Sequence, residues 1–127
     1  MTERRERGDF AEDIALEYLK ALGLVLLHRN WRCKHKEIDL IMMGWSYRFS
    51  CYKLHIIEVR SLTEPVFMLP FESVDKKKQR LIMSAASGYI SQNNIAYETQ
   101  FDIVSVLFSN NEEYRVEYFP DAFTPVW

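Results

Sequence analysis

The chain has 127 residues, 48% hydrophobic and 27% charged, with 4 Gly and 4 Pro. This excludes disordered, low-complexity and fibrous chains and fits one domain over residues 1–127. A formal net charge of −2 and a pI near 5.9 exclude an overall cationic field for holding nucleic acid.

The first residues, Met-Thr-Glu-Arg-Arg-Glu-Arg, hold no apolar secretion core. Two cysteines, Cys33 and Cys51, cannot form a disulfide scaffold and suit a reducing compartment. A cytoplasmic protein without a membrane partner is expected. Residues 9–22 read as an amphipathic helix: Phe10, Ile14, Tyr18 and Leu22 fall on one stripe, joined by Ala11, Ala15 and Leu19. Gly23 ends it, as a left-handed terminus prefers. Residues 24–27 are a short extended run, far too short to span a bilayer. Arg29-Asn30-Trp31-Arg32 leads to a second strand over residues 36–43, closed by Gly44. Residues 45–52 are aromatic and mixed and suit a hairpin turn with a middle strand. Residues 54–60 are the clearest strand, and their near-continuous apolar content predicts a central position. Residues 61–70, with Pro65 and Pro70, read as a loop. Ser73 can cap a second helix reaching Ser91. Residues 101–108 form another strand, Asn110-Asn111 a turn, and residues 114–119 a last short strand. This order predicts an α/β or α+β sandwich around a mixed sheet.

Charge is unevenly spread. Residues 41–80 carry seven basic and four acidic side chains, whereas residues 81–127 carry one and six. Lys76-Lys77-Lys78-Gln79-Arg80 is the densest basic run. It reads either as a solvated helix face or as a phosphate-facing patch in which Lys76, Lys77 and Arg80 touch nucleic acid. Arg29, Arg32, Lys34, His35 and Lys36, with Trp31, also have two readings. They form a phosphate track, or an exposed basic loop beside a core tryptophan.

Side chains alternate faces along a strand. Glu37 and Asp39 then share one face, and Ile38 and Leu40 take the other. Glu58 and Arg60 share a face of the next strand. If the two strands are neighbours, Asp39 and Glu58 fall side by side. Two carboxylates brought close repel, and a divalent cation relieves the repulsion. A carboxylate pair beside a cationic side chain is what metal-assisted phosphodiester cleavage requires. The alternative is a pair of edge-strand carboxylates in ordinary ion pairs.

The second helix bears on the choice. Val74, Leu81, Ile82, Ala85 and Tyr89 form its apolar stripe, and Lys78 lies mid-stripe, four residues from both Val74 and Ile82. Either its stem snorkels to water or its head meets an acid, with Asp39 and Glu58 the obvious partners. Glu12 also has two readings: a carboxylate leaning toward a metal site, or the acid of a capping box that starts at Asp9, reaching back to the helix start.

Six segments in order resemble the YraN-like bacterial proteins of the restriction-endonuclease-like superfamily. They are Gly8-Asp9-Phe10-Ala11-Glu12 with Ala15 and Tyr18-Leu19; Asn30-Trp31-Arg32; Glu37-Ile38-Asp39-Leu40-Ile41; Ile57-Glu58-Val59-Arg60; Val74 with Lys78; and Phe101-Asp102-Ile103-Val104. The resemblance implies a three-layer α/β core, a mixed sheet flanked by helices, and a site of the PD-(D/E)xK type. It implies that Asp39 and Glu58 are metal ligands for Mg²⁺ or Mn²⁺, that Glu12 is a helix carboxylate near the metal, and that Lys78 is a recurrent helix lysine. The superfamily's catalytic lysine falls at Arg60, and the basic residue often found two positions later is Leu62. Ala11 and Lys36 replace two family glycines. Arginine stays protonated and cannot act as a base, although it can pair with a phosphate.

Cys33 and His35 have no second ligand pair at zinc spacing, and neither a Gly-rich phosphate loop nor a nucleophile turn is present. Three functions stay open: a metal-dependent endonuclease acting on nucleic acid, DNA foremost; a nucleic-acid-binding module that has lost cleavage; and an interaction partner in DNA processing that uses the acidic C-terminal third and the aromatic tail from Phe119 to Trp127. Oligomeric state stays open as well.

Overall fold

A computed structural model describes residues 3–34, 36–66, 70–111 and 113–126, except for the side chains of residues 3–6, 70 and 71. His35 and Trp127 lie outside the described residues. The elements are α1 (Glu3–Ala21), β1 (Val25–Cys33), β2 (Lys36–Ser46), β3 (Cys51–Thr63), a 3-10 turn (Pro70–Ser73), α2 (Lys76–Gln92), β4 (Glu98–Phe108) and β5 (Tyr114–Phe123). The five strands form one sheet in the order β1-β2-β3-β4-β5. β3 and β4 are parallel, joined across α2, and the other neighbours are antiparallel. β3 is therefore central, as its apolar run predicts.

Each face of the sheet is covered by one helix. Ala15, Leu16 and Leu19 of α1 pack on Leu40, Met42, Ile57 and Val104. Ile82, Ala85, Ala86 and Tyr89 of α2 pack on Ile38, Ile41, Leu54, Ile56, Phe101 and Ile103 of the other face. The result is the expected α/β architecture of three layers around a mixed sheet. No helix among the described residues is long and apolar enough to cross a membrane.

Several sequence expectations are corrected. The stripe of α1 is rotated: Ala11, Ala15, Leu16 and Leu19 are buried, whereas Phe10, Tyr18 and Leu22 are exposed. Alanine lets a helix backbone approach a sheet closely, and that close packing outweighs the larger flanking groups. Phe10 instead meets the rings of Phe108 and Tyr114, and Tyr18 meets Tyr118. Because α1 begins at Glu3, Asp9 and Glu12 lie inside it and cannot form a capping box. The cap of α2 is Asp75, which accepts the Lys78 amide at 2.8 Å, and not Ser73. β2 runs through Gly44, and β3 continues to Thr63 into the expected loop. Of the expected C-terminal tail, Phe119 and Phe123 belong to β5 and pack against the α2-side core. Gly23 does end α1, with φ +99° and the Leu24 amide donating back to the Leu19 carbonyl at 3.1 Å.

The expected alternation of β2 also fails at one point. Leu40 packs under α1 and Ile38 under α2, so the two do not share a face. The cause lies in β1. Asn30 is left-handed, with φ 54°, between the pairs Arg29↔Leu40 and Trp31↔Ile38. Arg29 turns toward Glu12 of α1 and Trp31 toward Tyr89 of α2. Asparagine tolerates this conformation better than most residues. The pleat slips by one residue in both strands at Asn30 and Asp39.

Candidate functional site

The β2–β3 ladder pairs residues as far as Leu40↔Ile57. Beyond it the Val59 amide donates to the Asp39 carboxylate at 2.8 Å, so a side chain takes the place of a strand carbonyl. Glu58 is one residue earlier on β3 and faces the same side as Ile56, toward α2. It is a buried acid, 6% exposed, inside an apolar strand. Its Oε1 accepts Lys78 Nζ at 2.9 Å and lies 3.7 Å from Arg60 Nη1. The mid-stripe lysine of α2 therefore meets an acid.

Asp39 and Glu58 come together at the margin of one cleft, where the Glu58 charge acts on Asp39. Burial first, and then the Glu58 charge, push the Asp39 carboxyl up to about 8 from 3.8. The Asp39 carboxyl in this desolvated corner thus keeps its proton near neutral pH. Glu12 is felt at Asp39 electrostatically. Its own carboxyl accepts Arg29 Nε at 3.3 Å. Burial raises it, and Arg29 partly offsets that rise. No group of three or more His, Cys, Asp or Glu gathers around one metal position among the described residues. The donor set at the corner is the Asp39–Glu58 pair.

These groups border a cleft of about 480 Å³, walled by Lys36 and Glu37 of β2 and by Asp75, Lys77, Lys78 and Leu81 at the start of α2. Of the sequence-predicted basic residues, Lys36 and Lys77 line it. Lys36 also donates to Ser84 Oγ at 2.6 Å. Lys34 and Lys76 are exposed, and Arg32 is 3.5 Å from Glu37 at an exposed position. Arg80 lines a separate groove with Met83 and Val126. Arg29 is held by Asp13 at 2.7 Å as well as by Glu12, and Trp31 stacks edge-on against Tyr89 at the core margin. Arg60 donates through Nε to Ser73 Oγ at 2.9 Å.

Two features escaped the sequence reading. Ser73 holds Arg60, which required knowing that the 3-10 turn crosses the end of β3. Asp102, fully buried, accepts from His55 Nδ1 and the Tyr118 hydroxyl at 2.8 Å each, from Gln100 Nε2 at 2.9 Å and from the Asp121 amide at 2.8 Å. Burial and the Asp102 charge push the Tyr118 phenol far above its usual range. An acid alternating with large apolar residues along β4 was the available signal.

The donor chemistry fits a hard divalent cation. Both side chains offer oxygen only, and the open cleft leaves room for the waters that Mg²⁺ retains. The model of the uncharacterised protein family UPF0102 matches residues 11–106. A UPF0102 protein of Flavobacterium psychrophilum is 32% identical over 97% of this chain and 98% of its own length. One of Bacteroides thetaiotaomicron is 32% identical over 98% of both chains. One of Legionella pneumophila is 36% identical over 94% of this chain and 95% of its own. With matches that span nearly the whole chain on both sides, the chain belongs to the UPF0102 family.

Proposed function

We propose that the protein is a Mg²⁺- or Mn²⁺-dependent nuclease that binds nucleic acid, DNA foremost, and hydrolyses phosphodiester bonds in the cleft between β2, β3 and the start of α2. The observation that carries this reading is the convergence of Asp39 and Glu58 with Lys78 at 2.9 Å. Ordinary ion pairing explains the lysine but not the second carboxyl, which burial and repulsion hold above its usual range. A divalent ion relieves that repulsion. When bound, it supplies Lewis-acid polarisation of the phosphodiester and a more acidic water.

The chain's own residues supply the rest. To serve as a ligand Asp39 would give its proton to solvent, while the Val59 amide keeps its carboxylate oriented. Lys78 swings from Glu58 to a non-bridging phosphate oxygen, since its side chain is 41% exposed. Arg60, steadied by Ser73, adds a second fixed charge as the phosphate becomes more negative. Lys36 and Lys77 hold flanking phosphates. A cytoplasmic location goes with this reading, as both cysteines are free.

One observation favours a second reading. Arg60 stands where the resemblance puts a lysine, and its guanidinium is engaged by Ser73. A site without a general base binds nucleic acid without cutting it. Calorimetric titration with Mn²⁺, in the wild type and in Asp39→Ala, tests the metal site. Binding that disappears in the variant supports it, and silence in both removes it. Incubation of single-stranded, duplex and branched DNA with the metal then separates the readings. Cut products support the nuclease, and retarded but intact DNA leaves the binding module.

A further inference from the structure

The β2–β3 hairpin carries an aromatic surface that the cleft does not use. Trp45 and Tyr52 pair across the two strands, with ring centroids 4.9 Å apart. Tyr97, leading into β4, continues the row at 5.9 Å from Tyr52. All three rings are 44% exposed, and Tyr47 in the turn is 88% exposed. Phe49 lies under the Arg48 guanidinium at 5.2 Å and the Lys53 ammonium at 5.1 Å. A groove of about 460 Å³ opens beside Tyr97, bordered by Ser87, Ile90, Glu98 and Thr99.

Core packing does not account for rings at this exposure. The charge around them is net positive. Residues 44–54 hold Arg48 and Lys53 and no acid, in a chain of net charge −2. Glu98, opposite Lys53 in the register, leaves the tip at a net positive charge. Exposed rings with adjacent cations match a polyanion whose bases are free to stack. A duplex keeps its base faces inside and offers no such partner.

We infer that the hairpin tip is a stacking platform for unpaired bases of single-stranded nucleic acid. Nucleic acid as the partner rests on the function proposed above; the residues are separate from the cleft. Tyr52 and Glu58 lie on the α2 side of β3, six residues apart, which is roughly 20 Å at about 3.3 Å per residue. A substrate that reaches both has its scissile phosphate at the carboxylates and an unpaired segment at the tip.

The test is fluorescence anisotropy of labelled oligo(dT) and of a blunt duplex of equal length, at low salt with EDTA. Removing the metal makes it independent of the cleft. Tyr47→Ala, Trp45→Ala and Tyr52→Ala should each weaken oligo(dT) binding by roughly 5- to 150-fold, the equivalent of about 1–3 kcal/mol per stacked base, with the duplex little changed. Trp45→Phe and Tyr52→Phe keep a ring and should bind nearly as the wild type, which separates stacking from misfolding. Arg48→Ala should flatten the salt dependence by about one phosphate contact. The inference is overturned if the alanine variants bind oligo(dT) as the wild type does. It is also overturned if the wild type retains none, or if sedimentation shows a dimer that Tyr47→Ala dissociates, because a second copy then covers the tip. Silent Mn²⁺ titration together with ring-dependent oligo(dT) binding refutes the metal site and leaves the platform standing.

Discussion

Asp39→Asn should make the metal-free protein more stable at neutral and alkaline pH. In the folded chain the Asp39 carboxyl is held at about 8, against 3.8 as its ordinary value. Between those values the native state binds a proton that the unfolded chain does not, so stability falls as pH rises. The contribution is fully present below pH 4 and is lost by the time pH passes about 8. One proton corresponds to about 1.4 kcal/mol per pH unit, so from pH 5 to pH 8 the wild type should lose roughly 2–4 kcal/mol through this group. Asparagine carries no charge. Its oxygen can still accept the Val59 amide, and its nitrogen can donate to Glu58. Urea unfolding in EDTA across this range should show a stability difference that grows with pH in favour of the variant. Adding Mn²⁺ should reverse the order, since a ligand at a hundred times its dissociation constant stabilises by about 2.7 kcal/mol and the variant lacks the second carboxylate. Parallel pH profiles for the two proteins, or a variant weakened at every pH, would refute the reasoning.

Other expectations are independent of that pair. Asp102→Ala removes the acceptor of four hydrogen bonds at a fully buried position and should cost roughly 3–5 kcal/mol by urea unfolding. Ala15→Leu at the buried α1–sheet contact should cost about 1–3 kcal/mol through overpacking, whereas Phe10→Ala, half in solvent, should cost less. Arg60→Lys should raise cleavage of DNA by the metal-loaded protein if the arginine limits the chemistry, read by gel against the wild type; equal rates would show that Lys78 already suffices. Mn²⁺ affinity should fall up to tenfold per pH unit below about 8, because Asp39 must release its proton, and calorimetry in buffers of different ionisation enthalpy should count that proton.

Much of this was legible from local patterns. The apolar run of β3 marked a central strand, and Lys78 in the stripe of α2 stood out as a lysine that either snorkels or meets an acid, the second of which its 2.9 Å contact with Glu58 matches. Period-2 reasoning put Glu58 and Arg60 on one face, which their 3.7 Å separation agrees with. The failures share a cause: each depended on a contact distant in sequence. The rotation of α1 follows from how closely Ala11 and Ala15 approach the sheet, which hydrophobicity alone ranks wrongly. Glu12 has two readings in the sequence, a capping acid or a carboxylate leaning toward a metal, and neither names its partner Arg29 on β1. The sequence offers Ser73 as the cap of α2, but Asp75 holds that position and Ser73 is engaged by Arg60 of β3.

The slip at Asn30 and Asp39 ties the fold to the site. Regular alternation would carry Ile38 onto the α1 face and Trp31 with it, emptying part of the core under α2. The left-handed Asn30 instead returns both to that core. The Asp39 carboxylate remains at the point of the slip, in place of the ladder carbonyl that Val59 would otherwise meet. That substitution draws the acid against Glu58 and burial raises its proton affinity, so the corner is unfavourable in the empty protein. Ordinary strand pairing would avoid this cost. Under the proposed function a bound cation would offset it, so the same irregularity that weakens the metal-free fold would favour the site.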